Sequence, residues 1–191
     1  MKFAFIDTET TGLDPSVHCV IELAIIVVED GNVVQRYSSK VRPTDAEMAL
    51  AHPKALAING YTEEEWSGSP SMETIGPFVL GILEGAVLVG HNVRFDAEML
   101  GSSLRAHGVR CRLIRRRMVD TQVLAMEHLY PLGLASRGLD SIRKWLGWST
   151  EGAHRAEKDA LDCYRLWRLC WRMQVWTRWR VRLFRRLRIP V

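Results

Sequence analysis

The sequence predicts an α/β fold, a sheet with helices on its faces. Three observations predict it. Before Pro43 the chain carries three strand-like segments separated by short turns. From Ser71 onward, apolar segments of helical and of strand spacing alternate. A run of strands followed by such alternation packs helices against a sheet. The chain has 191 residues, 47% of them hydrophobic, which is enough for one well-buried core and too few for two ordinary domains.

Residues 2–7 read as a buried strand ending at Asp7. Residues 18–28, rich in Val and Ile, read as a second strand. Asp30-Gly31 is a hairpin signal, and Val33 to Val41 follows as a third strand closed by Pro43. These three are expected as an antiparallel meander. Ile75, Val79, Ile82 and Leu83 give residues 71–84 helical spacing, with Gly76 and Pro77 placing the helix start near Pro77. Residues 86–90 form a short apolar strand, and residues 94–107 a helix ended by Gly108. Residues 113–119 read as a strand with a basic interior. Residues 121–129 and 140–146 read as helices, separated by a loop with Pro131, Gly133 and Gly138. A long helix begins near Ala156 and reaches at least Arg172.

Stable membrane insertion is not expected. The longest apolar run, Leu23 to Val28, falls far short of about 20 residues. Only four apolar residues separate Lys2 from Asp7, which speaks against a secretory signal. Cys19, Cys111, Cys163 and Cys170 lack paired metal spacing and read as free thiols of a reducing, cytoplasmic protein. The net charge of +4 conceals an asymmetry: residues 172–191 hold seven arginines and no acid. The remaining body, with 19 basic and 22 acidic residues, carries −3.

Four carboxylates and one histidine stand in three separated motifs. The first is Phe5-Ile6-Asp7-Thr8-Glu9-Thr10-Thr11-Gly12-Leu13, the second His91-Asn92-Val93-Arg94-Phe95-Asp96, the third His154-Arg155-Ala156-Glu157-Lys158-Asp159-Ala160. Asp7 and Glu9, two residues apart in a strand, project to one face. A strand as apolar as Phe3-Ala4-Phe5-Ile6 belongs inside a sheet, where a bare acid pair is costly. Asp96 alone reads as an acid favoured by a helix N-terminus. His154 and Asp159 are about 140° apart on a continuous helix. They converge only if His154 precedes the helix on a loop, which Gly152 and Ala153 can supply. Alone, His154 reads as a surface histidine. Asp120 reads as a helix N-cap. Clustered carboxylates repel unless a cation neutralises them, and an all-oxygen set suits Mg²⁺ or Mn²⁺ rather than zinc.

Together the motifs resemble the DEDDh exonuclease family, which includes the proofreading subunit of bacterial DNA polymerase III. The resemblance covers most of residues 1–170, with all five signature residues in order. It implies an RNase H-like three-layer αβα sandwich with a mixed five-stranded sheet. It implies release of nucleoside 5′-monophosphates from a 3′ end with two divalent ions, Mg²⁺ or Mn²⁺. Two ions about 3.5–4 Å apart activate a water and stabilise the leaving oxygen. By resemblance, Asp7 bridges both ions, Glu9 and Asp159 complete the site of the water-activating ion, and Asp96 holds the second. His154 takes the proton of the attacking water.

The resemblance extends to substrate contacts. Thr10, Thr11 and Gly12 are implied to meet the 3′-terminal hydroxyl, with Leu13 wedged against the terminal bases; a plain turn is the alternative. Ile58-Asn59-Gly60-Tyr61-Thr62 resembles a family segment that usually reads Ile-His-Gly-Ile-Thr, so Gly60 is a candidate contact and Asn59 a departure. His91, Asn92 and Phe95 complete the set. The first motif looks closer to the proofreading branch than to the oligoribonuclease branch, which tends to carry Met where Thr10 stands. DNA with single-stranded or frayed ends is therefore favoured. A 3′-5′ exoribonuclease and a non-catalytic, polymerase-accessory nucleic-acid module are the alternatives. A proofreading or repair role would need a polymerase partner.

The expected division is an exonuclease domain, residues 1–171, and an Arg/Trp-rich extension, residues 172–191. Leu169, Met173, Trp176, Leu183 and Leu187 have helical spacing, whereas Thr177 to Leu183 alternates as a strand does. Arginine interleaved with tryptophan suits a nucleic-acid backbone and its bases. A solvated helix face carries equal weight, and an anionic membrane less.

Overall fold

In the structure, a computed structural model, the backbone is described for residues 1–113 and 116–187, and side chains through Trp176. Five strands make one mixed sheet in the order β3-β2-β1-β4-β5. β1 (Lys2–Thr10), β2 (Val20–Glu29) and β3 (Asn32–Lys40) form the expected antiparallel meander. The β2–β3 turn has Asp30 at φ 49° and Gly31 at φ 86°. Two consecutive left-handed residues match the strand twist in a tight hairpin, and Asp-Gly tolerates them. β4 (Val87–Gly90) and β5 (Met118–Asp120) then add parallel to β1. β5 is shorter than the predicted strand over 113–119, of which residues 114–115 lie outside the described residues.

The pleat of β1 sorts its side chains into two cores. Ala4 and Ile6 face α4 (Met72–Leu83) and α5 (Val93–Ala106), through Met72, Val79, Ala97 and Leu100. Phe5 points to the other face, against Ala160, Cys163 and Tyr164 of α8 (Ala156–Leu187). Phe5 meets Tyr164 and Trp167 edge-on, with ring centroids 5.1 and 5.5 Å apart, and Trp167 also packs on Phe3. α6 (Thr121–His128) and α7 (Leu139–Leu146) complete that layer with a third apolar cluster. The result is the αβα sandwich. The four cysteines are free thiols.

The elements differ from the sequence reading in several places. α4 begins at Met72, not at Pro77, because Ser71 caps it by accepting a hydrogen bond from the Thr74 amide. Buried Met72 and Ile75 hold this first turn down, offsetting the bond that Pro77 removes. α1 (Asp45–Ala49), α2 (Pro53–Asn59) and α3 (Glu63–Trp66) were not anticipated. Each is too short for a periodic signal, and each is fixed by a side-chain cap at Thr44, His52 or Thr62. Finally, of the helical and strand-like spacings both present around Thr177–Leu183, the backbone adopts the helical one. No Gly or Pro interrupts Ala156–Leu187, so nothing in that run breaks a helix nucleated against the sheet.

Phe5 joins α8 to β1, so Phe5→Ala should cost about 3–5 kcal/mol in urea unfolding. A loss under about 1 kcal/mol would mean that the aromatic cluster does not fix α8.

Candidate active site

The site forms where β1 runs past its parallel neighbour. β1 and β4 pair only as far as Phe5 opposite Val89, whereas β2 accompanies β1 to Thr10. Beyond that point Asp7 and Glu9 share the face that carries Phe5, and this face meets the first turn of α8. Carboxylate oxygens of Asp7, Glu9 and Asp159 all lie within 4.8 Å of one another. Strand β1 continues through both acids instead of ending at Asp7.

Asp96 arrives from the other layer, in the first turn of α5, and stands outside that triad. The Thr8 amide and hydroxyl both donate to its Oδ1, at 3.0 and 2.9 Å. Thr8 was not singled out by sequence. Its signal was a short hydroxyl side chain alternating with two acids, pointing to the opposite face.

The second motif braces this junction. Asn92 is left-handed, at φ 76°, and its amide donates to Asp120 Oδ1 at 3.0 Å. The same oxygen accepts from the Gln122 amide, so Asp120 caps α6 as expected. His91 is held through both ring nitrogens, by Thr121 Oγ1 at 3.0 Å and the Arg137 carbonyl at 2.7 Å. Burial lowers its pKa from the ordinary 6.5. Phe95 is half-buried against the α4–α5 core.

His154 lies on a loop two residues before α8, left-handed at φ 62°, as convergence with Asp159 required. Its side chain is 47% exposed, and Nε2 stands 3.5 Å from Asp140 Oδ2. Asp140 also accepts from Arg143 Nη1 at 2.8 Å. Arg143 is fully buried, and its Nη2 and Nε donate to Asp159 Oδ1 at 2.6 Å and to Asp162 Oδ2 at 2.9 Å. Asp162, also fully buried, is paired with Lys158 and Arg165 as well. Sequence reading missed this network. Arg143 is four residues after Leu139 and beside Ile142, so it occupies an apolar helix position, which was the available clue.

The turn after β1 is fixed from three sides. Thr10 Oγ1 donates to the Gly12 carbonyl at 2.7 Å, and buried Asn59 donates through Nδ2 to the Thr10 carbonyl at 2.9 Å. Thr11 and Cys19 exchange hydrogen bonds across the turn. A Cβ at Gly12 would fall 2.3 Å from the His18 ring, so the imidazole can pack there only over glycine. Leu13 is 82% exposed, and Gly60 caps α2 at φ 65°.

The acids crowd one another. Burial, then Asp96, Asp159 and Glu9, push the Asp7 carboxyl well above its ordinary 3.8. Burial, Asp159 and Glu22 push Glu9 up to about 7, against the opposing pull of Arg155. Burial raises Asp96 to about 8 despite the Thr8 hydrogen bonds. Burial also raises Asp159, although Arg143 opposes it. An oxygen-only triad in which negative charge is this unfavourable fits a hard divalent cation.

In this αβα sandwich, acids from β1 and α8 cluster at one end of the sheet, and α5 brings Asp96 to the same strand through Thr8. Residues 4–167 match the family described as exonuclease, and the chain belongs to that family. It is 34% identical over 158 residues to the PolC-type DNA polymerase III of Thermotoga petrophila, covering 83% of this chain and 11% of that protein. It is 30% identical over 158 residues to the DNA polymerase III epsilon subunit of Aquifex aeolicus, covering 83% of this chain and 74% of the subunit. The chain thus spans about a tenth of the PolC-type relatives it matches. In fold it resembles E. coli exonuclease I in complex with a dT13 oligonucleotide, with TM-score 0.74 and 22% identity over 88% of this chain and 40% of that one.

The raised carboxyls set a sign for stability. Glu9 prefers its proton in the fold, so its contribution is full below the ordinary 4.5 and lost as pH rises through about 7. The metal-free protein should lose Tm across that window. Added Mn²⁺ should raise Tm more at pH 8 than at pH 5 in thermal denaturation. Equal metal effects at both values would contradict this electrostatic picture.

Proposed function

We propose that the chain is a metal-dependent 3′-5′ exonuclease that removes nucleoside 5′-monophosphates from single-stranded or frayed DNA ends. The observation that carries this reading is the convergence of Asp7, Glu9 and Asp159, with Asp96 held beside them through Thr8. These four would hold divalent cations. When bound, such ions supply an activated water and charge stabilisation at the leaving oxygen. His154, on its exposed loop, would accept a proton at a ring nitrogen, with the Asp140 carboxylate 3.5 Å from Nε2. The hydrogen-bonded turn at Thr10–Gly12 meets the 3′-terminal nucleotide, and exposed Leu13 packs against its base. Gly60, His91, Asn92 and Phe95 are the further substrate-binding residues of this reading.

The epsilon-subunit relatives support a cytoplasmic role beside a polymerase, in proofreading or repair. The body is residues 1–171, and residues 172–191 are an Arg-rich extension for nucleic-acid contact. The test of the extension is truncation after Trp176, since Met173 and Gln174 still pack on the body. The shortened chain should show a higher KM at low salt with kcat nearly intact. An unchanged KM would exclude the extension from substrate binding.

The reaction itself is tested on 3′- and 5′-labelled single-stranded DNA and RNA of one sequence, with Mg²⁺, Mn²⁺, Zn²⁺ or EDTA. Zinc is included because one exonuclease I–single-stranded DNA complex of this fold is a zinc-bound form. Metal-dependent mononucleotide release from the 3′ end, faster on DNA, is expected. Asp7→Ala should lower kcat about 10³-fold or more while retaining DNA binding. Faster RNA cleavage would assign the exoribonuclease branch, and no cleavage by folded protein would leave an accessory module.

A further inference from the structure

We propose that Arg143 and Asp140 of α7 are positioning residues that hold Asp159 and His154 in one fixed arrangement. The inference rests on the metal-dependent hydrolysis proposed above. Each nitrogen of the buried Arg143 guanidinium addresses a different carboxylate: Nε that of Asp162, Nη1 that of Asp140, Nη2 that of Asp159. Asp140 in turn uses its other oxygen, Oδ2, toward His154 Nε2 at 3.5 Å. A chain of contacts therefore runs from His154 through Asp140 and Arg143 to Asp159. It joins the two functional ends of the third motif through a helix outside that motif.

A plain cross-brace between α7 and α8 would need only the Arg143–Asp162 pair. Asp162 already has two further cations, Lys158 and Arg165, for its single negative charge. The Arg143 charge is thus left for Asp159, reached by its shortest contact, 2.6 Å. That contact takes Oδ1 alone. Among the described residues Asp159 Oδ2 accepts no hydrogen bond, so one oxygen stays available to a cation while the other is clamped. A guanidinium is a rigid planar fork, and holding three carboxylates at set angles is beyond an ammonium of equal charge.

The test uses Arg143→Lys, which keeps the charge and loses the fork, and Asp140→Asn, at a half-exposed site, which keeps an oxygen for Arg143 and loses the anion beside His154. Mn²⁺ affinity is read by electron paramagnetic resonance of free Mn²⁺, kcat and KM on 3′-labelled single-stranded DNA, and folding by Tm. Arg143→Lys should weaken Mn²⁺ binding about 10-fold or more, with a comparable fall in kcat and an unchanged KM. Asp140→Asn should leave Mn²⁺ affinity and KM unchanged and lower kcat about 10-fold at saturating metal. Unchanged or tighter Mn²⁺ binding in Arg143→Lys, or wild-type kcat in Asp140→Asn, overturns the proposal. If Arg143→Lys does not fold, Asp140→Asn decides alone. Wild-type protein that neither binds Mn²⁺ nor cleaves DNA would instead remove the exonuclease reading beneath it. Wild-type protein that does both, with variants that match it, removes the positioning role only.

Discussion

The seating of the acidic face of β1 against the first turn of α8 is the contact on which the site depends. It is set by apolar chemistry. Phe3 and Phe5, on the same strand face as Asp7 and Glu9, lodge against Tyr164 and Trp167 two turns further along α8. Strand and helix therefore meet at fixed height, and the pleat carries the aromatic contact into an acidic one within two residues. Asp159 is placed by the same packing, since Ala156, Ala160 and Cys163 lie close enough to the sheet only because they are small. On the opposite face, Thr8 connects Asp96 to the same strand, so both helical layers deliver an acid to β1.

Such a cluster works against stability when no cation is bound. Burial first, and the neighbouring carboxylates second, raise Asp7, Glu9 and Asp96 above the ordinary carboxyl range. The surrounding protein offers only partial compensation. Arg155 reaches Glu22, the cross-strand neighbour of Glu9, and Arg143 reaches Asp159. Each cation lies at the margin of the triad and leaves its centre negative. That distribution suits a site completed by a metal better than one completed by an arginine, whose fork would occupy the oxygens a metal needs.

Much of this was legible in sequence because it rests on local signals. The i, i+2 acids on an apolar strand, the Asp30-Gly31 hairpin and the Gly152-Ala153 break before Asp159 each act within a few residues. Three short helices between β3 and α4 were not legible, since their caps carry no period. Pro77 misled because a helix start is decided by its cap and its buried first turn, and the proline then costs one bond. At Thr177–Leu183 the sequence left helix and strand open: arginine and bulky apolar residues alternate in either state, and continuity with a packed helix decides. Arg143 was hidden for another reason. Its partners Asp140, Asp159 and Asp162 come together only through the docking of α7 on α8, so only its place on an apolar face marked it. Thr8 was hidden because its partner, Asp96, is 88 residues away and meets it only once α5 packs on the sheet.

The proposed function stands or falls with divalent-cation binding at the Asp7–Glu9–Asp159 cluster. The most direct measurement is titration calorimetry of Mn²⁺ into the protein at pH 7 in two buffers of different ionisation enthalpy. Binding should occur with net proton release, because a cation displaces protons that the crowded carboxyls retain. Replacing Glu9 with Gln should remove most of both binding and release. Absence of Mn²⁺ binding, or binding that survives that replacement without proton release, would contradict the assignment of these carboxylates to metal.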